Sequence, residues 1–222
     1  MKNIVIIVAG GQGKRMGKPK QFLRIAGKPM LDWTVAAFQK CKEIDGIVLV
    51  VSEEQLALAK KIKAGKIIAI IPGGKERQDS VRNGLAELPA STEIVAIHDG
   101  ARPGVSVETI ERSIDEAKKL GAIVVGVPVK DTVKKVMSNG ERVMGTLNRN
   151  ELWAAQTPQT FQVEIIKKAY DKLTENVTDD AMAVEKLGIP VKMVMGEYTN
   201  IKVTTPEDLS IMASILKKLD GT

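Results

Sequence analysis

The feature that most constrains this chain is an alternation. Short aliphatic runs are each followed by a segment of helical periodicity, and the pair repeats along the first half of the chain. Strands are predicted at Ile4–Ala9, Gly46–Ser52, Lys66–Ile71, Glu93–His98 and Ala122–Val127. Helices are predicted at Met30–Cys41, Glu53–Lys63, Glu76–Leu88 and Val107–Leu120. The strands are rich in Val and Ile and show little polar alternation, as strands buried on both faces do. Such a rhythm predicts an α/β chain with a mostly parallel, twisted sheet between two helical layers.

The rhythm breaks after Pro128. Two further strands, Asp131–Met137 and Arg142–Leu147, flank Ser138, Asn139 and Gly140. An Asn–Gly pair favours a tight hairpin because both residues tolerate positive φ. Apolar alternation in these strands is imperfect, so residues 130–150 read as an arm projecting from the main core. An isolated hairpin is marginally stable in water, so a second subunit is expected to cover it. Helices then return at Val163–Leu173 and Asp179–Leu187, with strands at Val191–Met195 and Asn200–Thr204. A last helix begins near Pro206, capped by Thr205, with Glu207 and Asp208 at its positive end. No repeat or linker divides the chain, so residues 1–222 read as one domain carrying the arm.

Residue usage excludes several classes of chemistry. Cys41 is the only cysteine, so no internal disulfide can form, and its apolar helical neighbours mark it as a packed thiol. His98 is the only histidine, which excludes histidine-rich and cysteine–histidine metal sites. A serine–histidine–aspartate triad is excluded unless His98 itself serves. No aliphatic run approaches the roughly 20 residues of a membrane span, and the amino terminus lacks a signal-peptide layout. A cytoplasmic protein with no membrane partner is expected. The net charge is +6, from 33 basic and 27 acidic residues. A phosphate-binding surface is the functional reading of that excess. A nucleic-acid binder is the remoter one, because aromatics make up only 3% of the chain and cannot build a stacking platform.

The segment VAGGQGKRMGKPKQF, Val8 to Phe22, follows the first strand directly. Ligands of open α/β sheets bind beyond the carboxyl ends of strands. Gly10, Gly11 and Gly13 let backbone approach a ligand, while Lys14, Arg15, Lys18 and Lys20 supply charge. The combination suits a nucleoside triphosphate. It is not a Walker loop, because Gln12 stands where the first glycine belongs and Pro19 where Ser or Thr would bind magnesium. Nor is it a dinucleotide fingerprint, because Met16 replaces the third glycine and Pro19 interrupts the helix.

This segment resembles the sugar-nucleotidyltransferase signature A-G-G-x-G-x-R-M followed by P-K. PKQF (Pro19–Phe22) and IHDGARP (Ile97–Pro103) narrow the resemblance to the 2-C-methyl-D-erythritol 4-phosphate cytidylyltransferase family. PGGKERQDSV (Pro72–Val81), KDTVK (Lys130–Lys134), NRNELWAAQTPQ (Asn148–Gln159), VTDDA (Val177–Ala181) and NIKVTTPEDL (Asn200–Leu209) follow in the family's order. The resemblance spans nearly the whole chain and implies a Rossmann-like nucleotidyltransferase fold. It also implies transfer of CMP from CTP to a sugar-alcohol phosphate, with release of pyrophosphate, in the non-mevalonate route to isoprenoids. The related ribitol-5-phosphate cytidylyltransferases are the alternative. Ala101 before Arg102, and Leu152–Trp153 before Ala154, favour the erythritol enzyme.

The resemblance also implies roles. Arg15 and Lys20 would hold the triphosphate and stabilise the transition state, the one as a planar fork and the other as a point charge. Cytosine would lie against the backbone of Ala9 and Gly10, with Gly73 or Gly74 and Ser80 reading its edge, and Gly11 would also bind the nucleotide. The family more often has alanine where this chain has Gly10. Asp99 would meet the ribose or Mg²⁺ (or another divalent cation), with Gly100 and Ala101 passing close to the sugar. Lys202 would position the acceptor near the α-phosphate, and Arg149, counted with it as catalytic, would meet the acceptor's phosphate. Arg102, Thr132, Thr157 and Thr178 would bind the acceptor. In the family the arm crosses a two-fold axis, which implies a homodimer with composite sites.

Overall fold

The computed structural model describes residues 1–11 and 20–219, with Lys20 described in its backbone alone. The chain runs β1 (Asn3–Ala9), a 3₁₀ turn at Lys20–Phe22, β2 (Arg24–Ile25), β3 (Lys28–Pro29), α1 (Met30–Lys40) and β4 (Gly46–Val51). It continues through α2 (Leu56–Ala59), β5 (Ile67–Pro72), α3 (Arg77–Ala86), β6 (Ile94–Asp99), α4 (Val107–Leu120) and β7 (Ala122–Pro128). The arm strands are β8 (Lys134–Val136) and β9 (Val143–Thr146). Next come β10 (Trp153–Gln162), α5 (Val163–Asp171), α6 (Asp180–Glu185), β11 (Lys192–Met195) and α7 (Pro206–Leu219).

The main sheet has the order β11-β7-β10-β6-β1-β4-β5. β1 pairs parallel with both β4 and β6, β4 with β5, and β11 with β7. Only β10 runs antiparallel, between β6 and β7. The expected mostly parallel α/β/α architecture is what forms. Successive strand residues serve opposite layers. Val5, Ile7 and Ala9 pack with α1, α2 and α4 through Leu31, Phe38, Ala59, Ile110 and Ile114. Ile4 and Ile6 pack with α3, α5 and α6 through Val81, Leu85, Ile166 and Val184. That double demand explains the continuous Val/Ile runs. A smaller cluster joins α7, through Met212 and Leu216, to Met30 and Val203. Cys41 is fully buried, as a packed thiol should be. No helix among the described residues is long and apolar enough to cross a membrane.

Several elements differ from the sequence expectation, the short antiparallel pair β2–β3 among them. β10 is not expected, because its QTPQTFQ run is polar and Pro158 argues against a central strand. A register shift between Ala155 and Gln159 accommodates the proline. Residues 200–204 do not form a strand. They lie beside the 98–102 loop, held by Val203 N donating to Ala101 O at 2.9 Å, by Arg102 donating to Asn200 O at 2.8 Å and by the Lys202–Asp99 ion pair. The helix expected at Glu53–Lys63 shrinks to a 3₁₀ turn, Glu53–Gln55, followed by the single turn α2. The arm strands are shorter than expected, and their connection is not a two-residue turn. Gly140 alone takes positive φ (75°), while Asn139 accepts from Glu141 N at 3.2 Å. The Asn139 side chain thus builds the turn by hydrogen bonding rather than by adopting left-handed backbone.

Candidate active site

β1 is where the strand order reverses: the chain proceeds first to β4 and β5, then returns to lay β6 on the other side. A crevice therefore opens beyond the carboxyl ends of β1, β4 and β6. It receives Ala9–Gly11 from β1, Gly73–Gly74 after β5, and Asp99–Arg102 after β6. Arg15 lies outside the described residues, as does the side chain of Lys20. Gln21, just after them, is buried and donates to Gly11 O at 2.9 Å, which anchors the near end of the glycine loop.

One wall of the crevice is built around Ser80. Its hydroxyl accepts from Gly74 N at 3.1 Å and lies 3.3 Å from Glu76 O. A Cβ at Gly73 would sit 2.6 Å from that hydroxyl, and one at Gly74 would sit 2.3 Å from Asp79 Cβ. Both positions require glycine for closeness of approach. Ser80 Oγ also lies 3.6 Å from where a Gly10 Cβ would be. The structure thus brings Gly10, Gly73, Gly74 and Ser80 together as one surface. A capping box between Glu76 and Asp79 starts α3 beside it.

The opposite wall centres on Asp99, the last residue of β6, only 7% exposed. Arg77 Nε reaches its Oδ1 at 3.2 Å, and Lys202 Nζ reaches Oδ2 at 2.9 Å. Arg102 Nε stands 3.6 Å from the same Oδ2, close enough for ion pairing but long for a hydrogen bond. Burial alone would raise the Asp99 pKa. The charges of Arg77, Lys202 and Arg102 outweigh it and hold the carboxyl far below its ordinary range. Three cations thus converge on one carboxylate at the strand ends. Lys202 keeps its side chain 39% exposed while it pairs with the nearly buried Asp99.

The backbone of the 98–102 loop is almost fully accounted for. Asp99 N donates to Thr157 Oγ1 at 3.1 Å and Gly100 N to Val8 O at 2.8 Å. Thr34 Oγ1 donates to Gly100 O at 3.0 Å, Arg102 N to Asp99 O at 3.0 Å, and Val203 N closes on Ala101 O. Arg102 also donates to Asn200 O at 2.8 Å. The sequence expectation puts Thr157 against an acceptor. The structure buries it beneath Asp99, with its hydroxyl committed to Asp99 N and to the His98 ring.

The remaining expected acceptor residues are not gathered at Asp99. Thr132 and Arg149 are exposed at the base of the arm, where Arg149 donates to Lys130 O at 2.8 Å. Thr178 is exposed and bonds to Met182 Sδ at 3.5 Å. No cluster of three or more His, Cys, Asp or Glu side chains fit to hold a metal occurs among the described residues.

Sequence reasoning missed Arg77. Its guanidinium spans from Asp99 to Asp180, donating to the Asp180 oxygens at 2.9 and 2.7 Å. Asp180 is fully buried and also accepts from Tyr170 Oη at 2.6 Å. Gln159 Oε1 accepts from Asp180 N and Ala181 N, and Gln159 Nε2 donates to Asp179. The signal was present in the ERQDSV and VTDDA motifs, but nothing local in either says that they meet.

Known proteins share this sequence and fold. The family model described as 2-C-methyl-D-erythritol 4-phosphate cytidylyltransferase matches residues 3–218. A protein of that name from Alkaliphilus metalliredigens is 48% identical, over 99% of this chain and 95% of its own. Its namesake from Desulforamulus reducens is also 48% identical, over 98% and 97%. Among solved structures, 4-diphosphocytidyl-2C-methyl-D-erythritol synthase from Anaerococcus prevotii superposes with a TM-score of 0.87. It shows 33% identity and covers 97% of this chain and 96% of its own. With the motifs, the crevice and near-complete coverage in agreement, the chain belongs to the 2-C-methyl-D-erythritol 4-phosphate cytidylyltransferase family.

Proposed function

We propose that this chain transfers CMP from CTP to 2-C-methyl-D-erythritol 4-phosphate, releasing pyrophosphate, as a nucleotidyltransferase of the non-mevalonate isoprenoid pathway. The observation that carries the reading is the crevice at the β1 switch point. It has a close-packed glycine wall for a base on one side and converging cations on the other.

The chemistry follows from those groups. An acceptor phosphate oxygen attacks the α-phosphorus of CTP in line, a new P–O bond forms, and the bond to the β-phosphate breaks. The nucleophile is already anionic, so no strong base is required. The demand is to bring anions together and to neutralise charge that grows as pyrophosphate departs. Lys202 lies at the crevice mouth for the acceptor and α-phosphate, and Arg15 and Lys20 serve the triphosphate. Gly10, Gly73, Gly74 and Ser80 read cytosine through positions fixed by packing. Asp99 orients Lys202 and faces the ribose.

The donor set around Asp99 does not fit a resident divalent ion, because a metal there would share one carboxylate with three cations. Mg²⁺ prefers oxygens and keeps phosphates in its shell. It is therefore assigned to the substrate, as the magnesium complex of CTP. The arm exposes Val136, Met137, Val143 and Met144. A second copy of the chain is the partner that would cover them, with Thr132 and Arg149 delivered to its acceptor site. The reading places the enzyme in the cytoplasm, acting on small phosphates and not on nucleic acid.

The test is pyrophosphate release with each nucleoside triphosphate and with erythritol-type and ribitol-type acceptor phosphates. Turnover requiring CTP and 2-C-methyl-D-erythritol 4-phosphate is expected. Preference for ribitol 5-phosphate, or for another triphosphate, overturns the reading.

A further inference from the structure

His98 is fully buried beneath the crevice, and no step of the chemistry above uses it. Both of its ring nitrogens are engaged. Nδ1 lies 3.0 Å from Thr157 Oγ1, and Nε2 lies 3.1 Å from Arg102 O. These partners fix the proton. A carbonyl only accepts, so Nε2 must carry hydrogen. The Thr157 hydroxyl already accepts from Asp99 N, which leaves its own hydrogen free for Nδ1. A directed chain results: Asp99 N–H to Thr157 O–H to His98 Nδ1, then His98 Nε2–H to Arg102 C=O.

The two ends of this chain are the two ends of the loop that carries the site. Asp99 collects Arg77 and Lys202, and Arg102 is the third cation beside it. The imidazole is a rigid spacer between them. Phe38 meets its ring edge-on, with centroids 4.9 Å apart, and packs against it within the core.

We propose that His98, held as the neutral Nε2–H tautomer, is a positioning residue for nucleotidyl transfer. It sets the separation and orientation of Asp99 and Arg102 across the 98–102 loop, with Thr157 as its relay. The proposal rests on the reading of this crevice as the nucleotide site. A misplacement of about 1 Å in such a frame can cost about 10²-fold in rate.

Because the chain has one histidine, the imidazole nitrogens of ¹⁵N-labelled whole protein give a single, unambiguous NMR signature. The expected result at neutral pH is a protonated Nε2 and a bare Nδ1, with and without CTP. An Nδ1–H tautomer or an imidazolium overturns the proposal, whatever the substrate proves to be. The kinetic arm compares His98→Leu with His98→Gln, whose amide can still donate to Arg102 O. His98→Leu is expected to lose about 10²-fold in kcat/KM, with both kcat and the KM for CTP affected. His98→Gln should recover most of that loss. A folded His98→Leu enzyme with wild-type kinetics overturns the proposal, as does a folded His98→Gln enzyme as slow as His98→Leu. Should His98→Leu not fold, the tautomer and the His98→Gln kinetics decide. Wild-type protein that turns over no CTP would instead indict the assigned function, while the tautomer would still be readable.

Discussion

Arg77 on α3 and Asp180 on α6 meet in two parallel hydrogen bonds, at 2.9 and 2.7 Å, while the Arg77 Nε reaches over to Asp99. Helices from two separate stretches of chain are thereby joined to the Asp99 wall of the candidate site by one guanidinium. Asp180 has no solvent to fall back on, and Tyr170 donates its hydroxyl to the same carboxylate. Burial, and then the Asp180 charge, push the Tyr170 phenol well above its usual pKa, so it stays a donor.

Breaking this pair should therefore cost more than losing a surface ion pair. Asp180→Asn removes the bidentate carboxylate from a largely buried Arg77, leaving only the single contact to Asp99, and a destabilisation of about 3 kcal/mol is expected. The KM for CTP should rise as well, because Asp99 loses a fixed neighbour. Urea unfolding midpoints and CTP titrations of the variant check both. An unchanged midpoint would mean that the pair contributes nothing net.

Lys20→Ala and Arg15→Ala should each lower kcat by about 10²–10³-fold, the usual consequence of removing one preorganised cationic donor. Fold and subunit assembly should be unchanged. Circular dichroism, sedimentation and pyrophosphate release measured on the same samples check this. Near-normal rates in both variants would remove them from the triphosphate site.

Arg149→Ala should raise the KM for the acceptor far more than that for CTP. If subunits share sites through the arm as proposed, mixing Arg149→Ala with Lys20→Ala protein should restore part of the activity, because a mixed dimer would assemble one intact site. Confirmed mixed dimers with no recovery would mean that each subunit works alone. Charging the exposed arm with Met144→Glu should weaken the dimer, which sedimentation at several concentrations would show.

Stability should fall on mild acidification. Burial first of all pushes the folded-state His98 pKa down from 6.5 to about 4. Between those values the unfolded chain binds more protons than the folded one. Stability is therefore level above neutrality and declines as pH drops from about 6.5 towards 4, by something of order 3 kcal/mol. Asp99 adds a later loss in the same direction. Its depressed pKa contributes stability above about pH 4 that vanishes in stronger acid. Denaturation midpoints across this range should show a shallower upper limb in His98→Gln than in wild type.

The parallel half of the fold was legible because burial on both faces writes itself into composition. The run Ile47–Val51 is wholly aliphatic, and β4 is buried along its whole length. β10 was not legible, because most of its inner residues, Gln156, Thr157, Gln159 and Thr160, are polar groups satisfied by distant partners. Gln159 needs α6, and Thr157 needs β6 and His98. The same holds at the site. Gly73, Gly74 and Ser80 were readable as a local motif, since the serine bonds within its own turn. Arg77 and Asp180 are 103 positions apart, and no local pattern joins them.

The reversed direction of β10 has a geometric consequence for the arm. A strand laid against the grain of its neighbours begins at the edge where they finish. β7 ends and β10 begins at that edge, paired through Pro128 and Trp153, and the whole arm is the excursion between them. The arm is thus bound by topology to leave the molecule on the ligand side of the sheet. Whatever it grasps is carried to the rim of a crevice, and no adjustment of loop length could send it to the opposite edge.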